Sequence, residues 1–147
     1  MAQPESDALL EDLCGTVLCI EDDPLSRTLV EEMLSAFPSV TLRQAVNGHD
    51  GICAALEEMP DVILLDMNMP DMRGLEVVRV LSNRIADGSC HVILLTAERF
   101  SIDVVKAMSL GAREHWPKPL SEDKLQGGLR RILRAPQRQS TDNALPP

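Results

Sequence analysis

The sequence has 147 residues, of which 44% are hydrophobic and 25% charged, and this length and composition fit one folded domain. Its formal net charge of -9 argues against a nucleic-acid partner, because such binding needs a broad positive surface. The sequence has neither an apolar run of the roughly 18 residues that span a membrane nor a signal-peptide pattern, so we predict a cytoplasmic protein with no membrane partner.

Composition divides the chain into three predicted regions. Residues 1–14 form an N-terminal extension and residues 15–134 the folded domain, whereas residues 135–147 are polar, rich in proline and predicted to be disordered. Because this tail is too short for a second domain, two alternatives stay open: a stand-alone domain or a domain cut from a longer chain.

Five apolar runs of strand length alternate with segments of helical periodicity. The predicted strands are 17–20, 40–45, 62–65, 92–95 and, with a weaker pattern, 112–116. Helical spacing runs from Leu25 to Phe37, Leu75 to Ile85, Ile102 to Met108 and Leu125 to Leu133, with a further helix after Asn47. Pro24 is suited to open the first helix and Asn47 to cap the second.

This alternation predicts an α/β fold, a doubly wound five-stranded parallel sheet with helices on both faces. The runs at 62–65 and 92–95 are apolar at every position, as expected for strands that are buried on both faces. In such a sheet, ligands bind beyond the carboxyl ends of the strands, and a functional site should lie there.

The residues that follow the predicted strands are suited to form such a site. They are Glu21, Asp22 and Asp23 after the first strand, Asp66 after the third, Thr96 and Ala97 after the fourth, and Lys118 after the fifth. Each of the polar ones alone is explained as a turn former, a strand end or a surface charge. Their recurrence at one edge of the sheet favours a common function.

The chemistry that these residues support is phosphoryl transfer. Three carboxylates in one crevice repel one another unless a divalent cation joins them, and Mg²⁺ takes oxygen ligands. Asp66 would then act as a nucleophile toward a phosphoryl group. Lys118 would neutralise one phosphoryl oxygen and Thr96 would donate a hydrogen bond to another, while the small Ala97 leaves room for backbone N–H groups.

Four motifs carry a resemblance to a known family: CIEDDP, ILLDMNMPDMRG, VILLTA and GAREHWPKP. In this order, and with Thr96 and Lys118 placed 30 and 52 residues after Asp66, the chain from Thr16 to Leu133 resembles response-regulator receiver domains of two-component signalling. The resemblance implies a flavodoxin-like fold with strand order 2-1-3-4-5, like that of chemotaxis regulators.

The resemblance also implies a phosphorylation site. By it, Asp66 accepts a phosphoryl group from a histidine kinase or a histidine phosphotransfer protein, with Mg²⁺ or Mn²⁺ as cofactor. Asp22, Asp66 and the backbone carbonyl of Asn68 would bind the metal directly, and Glu21 would act through the water around it.

A switch is the third implication of the resemblance. Thr96 would move toward the phosphoryl group and His115 would change its exposure, so that the surface of the fourth helix, fifth strand and fifth helix changes. We therefore expect phosphate analogues to alter residues 98 to 120 more than the second helix. The bond between Lys118 and Pro119 would be cis.

The sequence departs from the family pattern at four positions. Glu21 replaces the more frequent aspartate, and Arg73 stands where an aspartate usually precedes the loop glycine. His115 replaces a tyrosine or phenylalanine, and a strand-end histidine without a switching role is an equal alternative. Pro117 removes a backbone donor, so the last strand is expected to pair less fully. None of the four removes a group that phosphorylation needs.

Two other classes of function are alternatives to a phosphoacceptor. A metal-dependent phosphatase would carry a second aspartate as general acid two residues after its nucleophile, where this chain has Asn68. An interaction domain or a flavin-binding relative fits less well, because the acidic, threonine and lysine set is complete and aromatic residues are rare. The sequence thus predicts a domain that catalyses only its own phosphorylation and dephosphorylation. It leaves a homodimer open and indicates no downstream protein target.

Overall fold

A computed structural model describes residues 13–97 and 101–133, which form a five-stranded parallel sheet in the order β2-β1-β3-β4-β5. The strands are β1 (Gly15–Ile20), β2 (Val40–Ala45), β3 (Val62–Asp66), β4 (His91–Thr96) and β5 (Glu114–Pro117). The helices are α1 (Pro24–Leu34), α2 (Gly48–Glu57), α3 (Gly74–Val80), α4 (Ser82–Ala86), α5 (Ile102–Ser109) and α6 (Glu122–Ile132). The predicted fold class and strand order are confirmed.

Helices cover both faces of this sheet. In β3, Val62 and Leu64 pack against the face covered by α1 and α6, whereas Ile63 and Leu65 pack against the face covered by α2 to α5. All four side chains are fully buried, so the uniformly apolar run is confirmed as a central strand. β3 therefore ends at Asp66 inside the fold, and this carboxylate is held at the edge of the core.

Local helix signals in the sequence are confirmed. Pro24 is the first residue of α1, and the side chain of Asp23 accepts a hydrogen bond from the Ser26 backbone N–H at 3.0 Å. Asn47 caps α2, because its side chain accepts from the Asp50 N–H at 2.7 Å.

Helical periodicity was less reliable in choosing the buried face. Ile102 and Val105, which carry the helical spacing, are 61% and 49% exposed, and α5 instead buries Val104 and Ala107. Leu25 at the start of α1 is likewise 67% exposed. Both sets of α5 residues satisfy the three-residue spacing, so only packing against the sheet decides which set is inside.

Some element boundaries also differ from the prediction. The helix expected from Leu75 to Ile85 is divided at Leu81 into α3 and α4. The strand expected to begin at Ala112 begins two residues later, because the Ala112 N–H donates to the Ala107 carbonyl in the turn that ends α5. Phe37 is buried but lies after the end of α1.

Pro117 does not weaken the pairing of β5, contrary to the prediction. Pro117 lies opposite Thr96, and the next residue, Lys118, donates its N–H to the Thr96 carbonyl at 2.9 Å. Since β5 is an edge strand, the N–H that Pro117 lacks would point to the side of β5 that has no neighbouring strand.

Two regions predicted from composition lie outside this description. The first twelve residues of the predicted N-terminal extension and all of the predicted tail, 135–147, are outside the described ranges. The domain boundaries at 14 and 134 therefore stay predictions. Among the helices within 13–97 and 101–133, none combines the length and the apolar character needed to cross a membrane.

Adjacent glycines in α6 give a matched test of the packing. A Cβ added to Gly128 would lie 2.5 Å from the ring of the buried Trp116, whereas one added to Gly127 would meet only Arg131 Nη1, at 3.6 Å. We expect Gly128→Ala to lower the unfolding free energy by about 1–3 kcal/mol through overpacking. Gly127→Ala should raise it by up to about 1 kcal/mol, because alanine favours the helix.

Urea unfolding of both variants, followed by the fluorescence of Trp116, measures the difference. Equal effects of the two substitutions would contradict the close approach of α6 to β5.

Candidate functional site

The carboxyl ends of β1, β3 and β5 bring charged side chains of opposite sign together. Lys118 Nζ lies 2.9 Å from Glu21 Oε1 and 3.6 Å from Asp66 Oδ1. Glu21 is fully buried and Asp66 is 3% exposed, while Lys118 is half-buried. The lysine therefore lies closer to Glu21 than to Asp66, a preference that the sequence did not indicate.

Three carboxylates form the acidic part of the site. Glu21, Asp22 and Asp66 each offer an oxygen, and these oxygens all lie within 4.8 Å of one another. Asp22 is exposed, so the cluster has a buried floor and one member at the solvent boundary. Oxygen donors at this spacing fit a hard divalent cation, which would also offset their repulsion.

Burial and mutual repulsion alter the titration of this site. Burial raises the pKa of Asp66 to about 7, with a further increase from the Glu21 carboxylate and a partial decrease from the hydrogen bond of the Asn68 N–H. At Lys118, burial lowers the pKa, but the hydrogen bond with Glu21 and the charge of Asp66 raise it overall. Asp66 thus carries a reduced negative charge near neutral pH when no cation is bound.

The loop after β3 folds back tightly around Asp66. Asn68 donates its N–H to Asp66 Oδ1 at 3.1 Å and forms an antiparallel bridge with Arg73. The Gly74 N–H closes the loop by donating to the Met67 carbonyl at 3.0 Å. A Cβ at Gly74 would approach Met67 Cα to 2.8 Å, so this close return of the backbone requires glycine.

Other predicted site residues lie around this loop. Thr96 is buried at the end of β4, and the exposed Ala97 follows it. Ala97, Glu21 and Lys118 line a cavity of about 390 Å³ whose other walls come mainly from apolar residues of α1 and the segment before α6. Ala97 thus shares a cavity with Glu21 and Lys118, while Thr96 lies beside Asn68 of the loop.

His115 is separated from the carboxylates. It is exposed on β5 opposite Leu94, and the alternation of the strand turns it toward the sheet face that α5 covers, away from Trp116. Within 13–97 and 101–133, no hydrogen bond or ion pair links it to the carboxylates. Its part in a switch stays a prediction. The peptide bond between Lys118 and Pro119 is cis, as the resemblance implied.

Comparison with known proteins decides the family. Residues 17–130 match the family described as the response regulator receiver domain. The chain belongs to this family. The receiver domain is 37% identical to the transcriptional regulatory protein AfsQ1 of Streptomyces coelicolor over 88% of this chain, but it spans only 56% of AfsQ1.

Proteins of nearly the same length are also similar to the receiver domain. Protein PilH of Pseudomonas aeruginosa is 31% identical over 80% of this chain and 96% of its own length. The crystallised chemotaxis protein CheY4 of Vibrio cholerae shares 26% identity, with a TM-score of 0.71 over 82% of this chain and 99% of CheY4. The receiver fold and the place of the chain in two-component signalling are therefore established.

Sequence reasoning missed two residues that hold the site of the receiver domain in place. Arg27 Nη1 donates to the carbonyls of Glu21 at 3.1 Å and Asp22 at 2.9 Å. An arginine in the first turn of α1 does not suit the positive end of a helix, and this was the available signal. Asp71 accepts from the N–H groups of Gly48 and His49, each at 2.9 Å, which left no pattern in the sequence.

Proposed function

We propose that Asp66 of this receiver domain accepts a phosphoryl group from a histidine kinase or a histidine phosphotransfer protein. The observation that carries the proposal is the convergence of Glu21, Asp22 and Asp66 on one crevice beside Lys118. A carboxylate oxygen of Asp66 forms the new bond to phosphorus, while the bond from phosphorus to the donor's imidazole nitrogen breaks and its electron pair stays on that nitrogen.

The acidic cluster supports Mg²⁺ as the cofactor, with Mn²⁺ as an alternative that takes similar oxygen ligands. Asp22, Asp66 and the backbone carbonyl of Asn68 would hold the ion directly, and Glu21 would act through its water shell. When bound, the ion supplies positive charge that screens the carboxylates and the phosphoryl oxygens.

Three further residues would contact the oxygens of the phosphoryl group on Asp66. Lys118 already lies 3.6 Å from Asp66 and supplies a positive charge for one oxygen. The Thr96 hydroxyl donates to a second oxygen, and the small Ala97 side chain leaves its backbone N–H accessible. Phosphoryl transfer demands mainly such positioning and charge from a protein.

Phosphorylation would then change the surface of α5, β5 and α6, the segments that correspond to the predicted fourth helix, fifth strand and fifth helix. The added charge is about -1.5 to -2, and drawing Thr96 toward it would leave room for His115 to move. The surface thus reports a single covalent event through a two-state equilibrium.

AfsQ1, a transcriptional regulator, is about twice as long as the match, so the predicted absence of a nucleic-acid partner stays a prediction. The cytoplasmic location and the limitation of catalysis to the domain's own phosphoryl group also stay predictions. A homodimer stays open.

The direct test is incubation with acetyl phosphate and Mg²⁺ followed by intact mass. We expect one phosphoryl adduct, removed by hydroxylamine as an acyl phosphate should be, and none in Asp66→Asn. Asp123→Asn is a suitable control because it removes an exposed carboxylate of α6 that is outside the acidic cluster. An adduct that persists in Asp66→Asn, or no adduct in the unmodified chain, would refute the proposal.

A further inference from the structure

Arg73 is the unusual residue of the loop that follows β3, and its contacts extend in two directions. Through its backbone it bridges to Asn68, whose N–H holds Asp66 Oδ1. Through its side chain it reaches Asp103 in the first turn of α5, with Nη1 3.2 Å from Oδ2. One residue thus connects the acceptor loop with a helix of the surface that is proposed to respond.

The ion pair with Asp103 is one of two that Arg73 makes. Its Nη2 lies 3.5 Å from Glu76, which is on α3 and also pairs with Arg79 at 3.3 Å. The Asp103 side chain is 26% exposed, against 42% for Glu76, so the pair that leads to α5 is the better shielded one. Of these two ion pairs, the one with Asp103 joins the loop to an element that does not directly follow it.

Thr96, the threonine of the proposed switch, lines a cavity beside this ion pair. A cavity of about 230 Å³ is lined by Met67 and Asn68 of the loop, by Thr96, and by Ser101, Ile102 and Asp103 at the start of α5. The distance between the loop and α5 therefore sets the room beside Thr96. Arg73 restrains that distance.

The other side of the loop is fixed differently. Asp71 accepts two backbone N–H groups at the start of α2, and these bonds hold the pKa of Asp71 below its usual range. Charge-assisted bonds to a backbone leave little freedom, whereas the partly exposed pair of Arg73 and Asp103 is weaker. The loop is thus firmly attached to α2 and adjustably attached to α5.

We propose that Arg73 is a positioning residue whose ion pair with Asp103 holds the start of α5 against the acceptor loop and so sets how easily the receiver switches. This inference rests on the proposed function, since it concerns the same switch. A contact biases a two-state equilibrium only if it differs between the states. Moving the start of α5 away from the loop would lengthen the pair, so the pair opposes such a movement.

The test is a titration with beryllium fluoride and Mg²⁺, followed by the backbone amide resonances of Val104 and Ala107. We expect Asp103→Asn to lower the midpoint about two- to fivefold, the range that a surface ion pair allows. Glu76→Gln is the matched control, because it removes one carboxylate partner of Arg73 without touching α5. It should leave the midpoint within about 1.5-fold of the unmodified chain.

A charge exchange separates this ion pair from a general effect of charge. Arg73→Glu should lower the midpoint at least as much as Asp103→Asn, and adding Asp103→Arg should restore it. Equal shifts of the midpoint in Asp103→Asn and Glu76→Gln, or no restoration by the exchange, would overturn this inference but not the proposed function. If the unmodified chain neither responds to beryllium fluoride nor forms an adduct with acetyl phosphate, both proposals fall.

Discussion

Lys118→Ala is expected to lower both the stability of the domain and the rate of its phosphorylation. The ammonium group lies 2.9 Å from the buried Glu21 carboxylate and 3.6 Å from Asp66, and its removal leaves two buried acids without a cation. Because Lys118 is half-buried, we expect a loss of about 1–3 kcal/mol of unfolding free energy at pH 8, less than for a fully buried pair.

The pH dependence of this contribution follows from the raised pKa of Lys118. Stability that depends on the protonated amine is fully present below the unfolded-state pKa, 10.5, and is lost as pH rises through the higher folded-state value. The difference between the unmodified chain and Lys118→Ala should therefore not decrease between pH 8 and pH 9. Urea unfolding at both pH values measures it.

The phosphorylation rate should fall by about 10²–10³-fold, as when one charged donor to a developing oxyanion is removed. Lys124→Ala is the matched control, because it removes an exposed lysine from α6. Adduct formation with acetyl phosphate, followed by mass over time, gives the rates. If Lys118→Ala behaves like Lys124→Ala in both measurements, the lysine does not hold the acidic cluster.

Asp66→Asn is expected to stabilise the domain when no divalent cation is present. The folded state raises the pKa of Asp66 from 3.8 to about 7, chiefly by burial. Between these two values the unfolded chain is ionised while the folded chain retains its proton, so stability falls as pH rises from about 4 to about 7. The asparagine variant lacks this loss and should be more stable by about 2–4 kcal/mol at pH 8.

Mg²⁺ should reduce this difference. A cation that binds only the folded acidic cluster stabilises it by about 2.7 kcal/mol at one hundred times its dissociation constant, and Asp66→Asn should gain less because it lacks one ligand. Thermal unfolding at pH 5 and pH 8, with and without Mg²⁺, gives the four values. Asp123→Asn, which removes an exposed carboxylate, should neither be more stable than the unmodified chain at pH 8 nor be stabilised less by Mg²⁺. The same stability difference at pH 5 and pH 8 for Asp66→Asn would contradict the buried, repelled carboxylate.

Several features of the fold followed from local patterns. Four consecutive buried apolar residues in β3 identified a central strand, and Asn47 identified the start of α2, because the responsible groups lie within a few residues of each other. The order of strand-end residues also placed Glu21, Asp66 and Lys118 at one edge, since parallel strands share their carboxyl ends.

Other features could not be obtained from local patterns. Ile102 and Val104 have equal claims to the core by hydrophobicity, and the sheet alone decided between them. The hydrogen bonds that Arg27 donates to the acidic loop and that Asp71 accepts from α2 depend on how far a side chain reaches across a turn or between elements. Such contacts leave no periodic signal.

The sequence by itself determined the alternation of strands and helices, the family and the identity of the acidic, hydroxyl and amine groups. These depend on the order of residues along the chain, because short apolar runs and caps act over one or two turns. The tertiary structure decided that Lys118 pairs most closely with Glu21 and that Arg73 joins the acceptor loop to α5. These pairs span 97 and 30 residues, and only the packed sheet and helices bring their charges within reach.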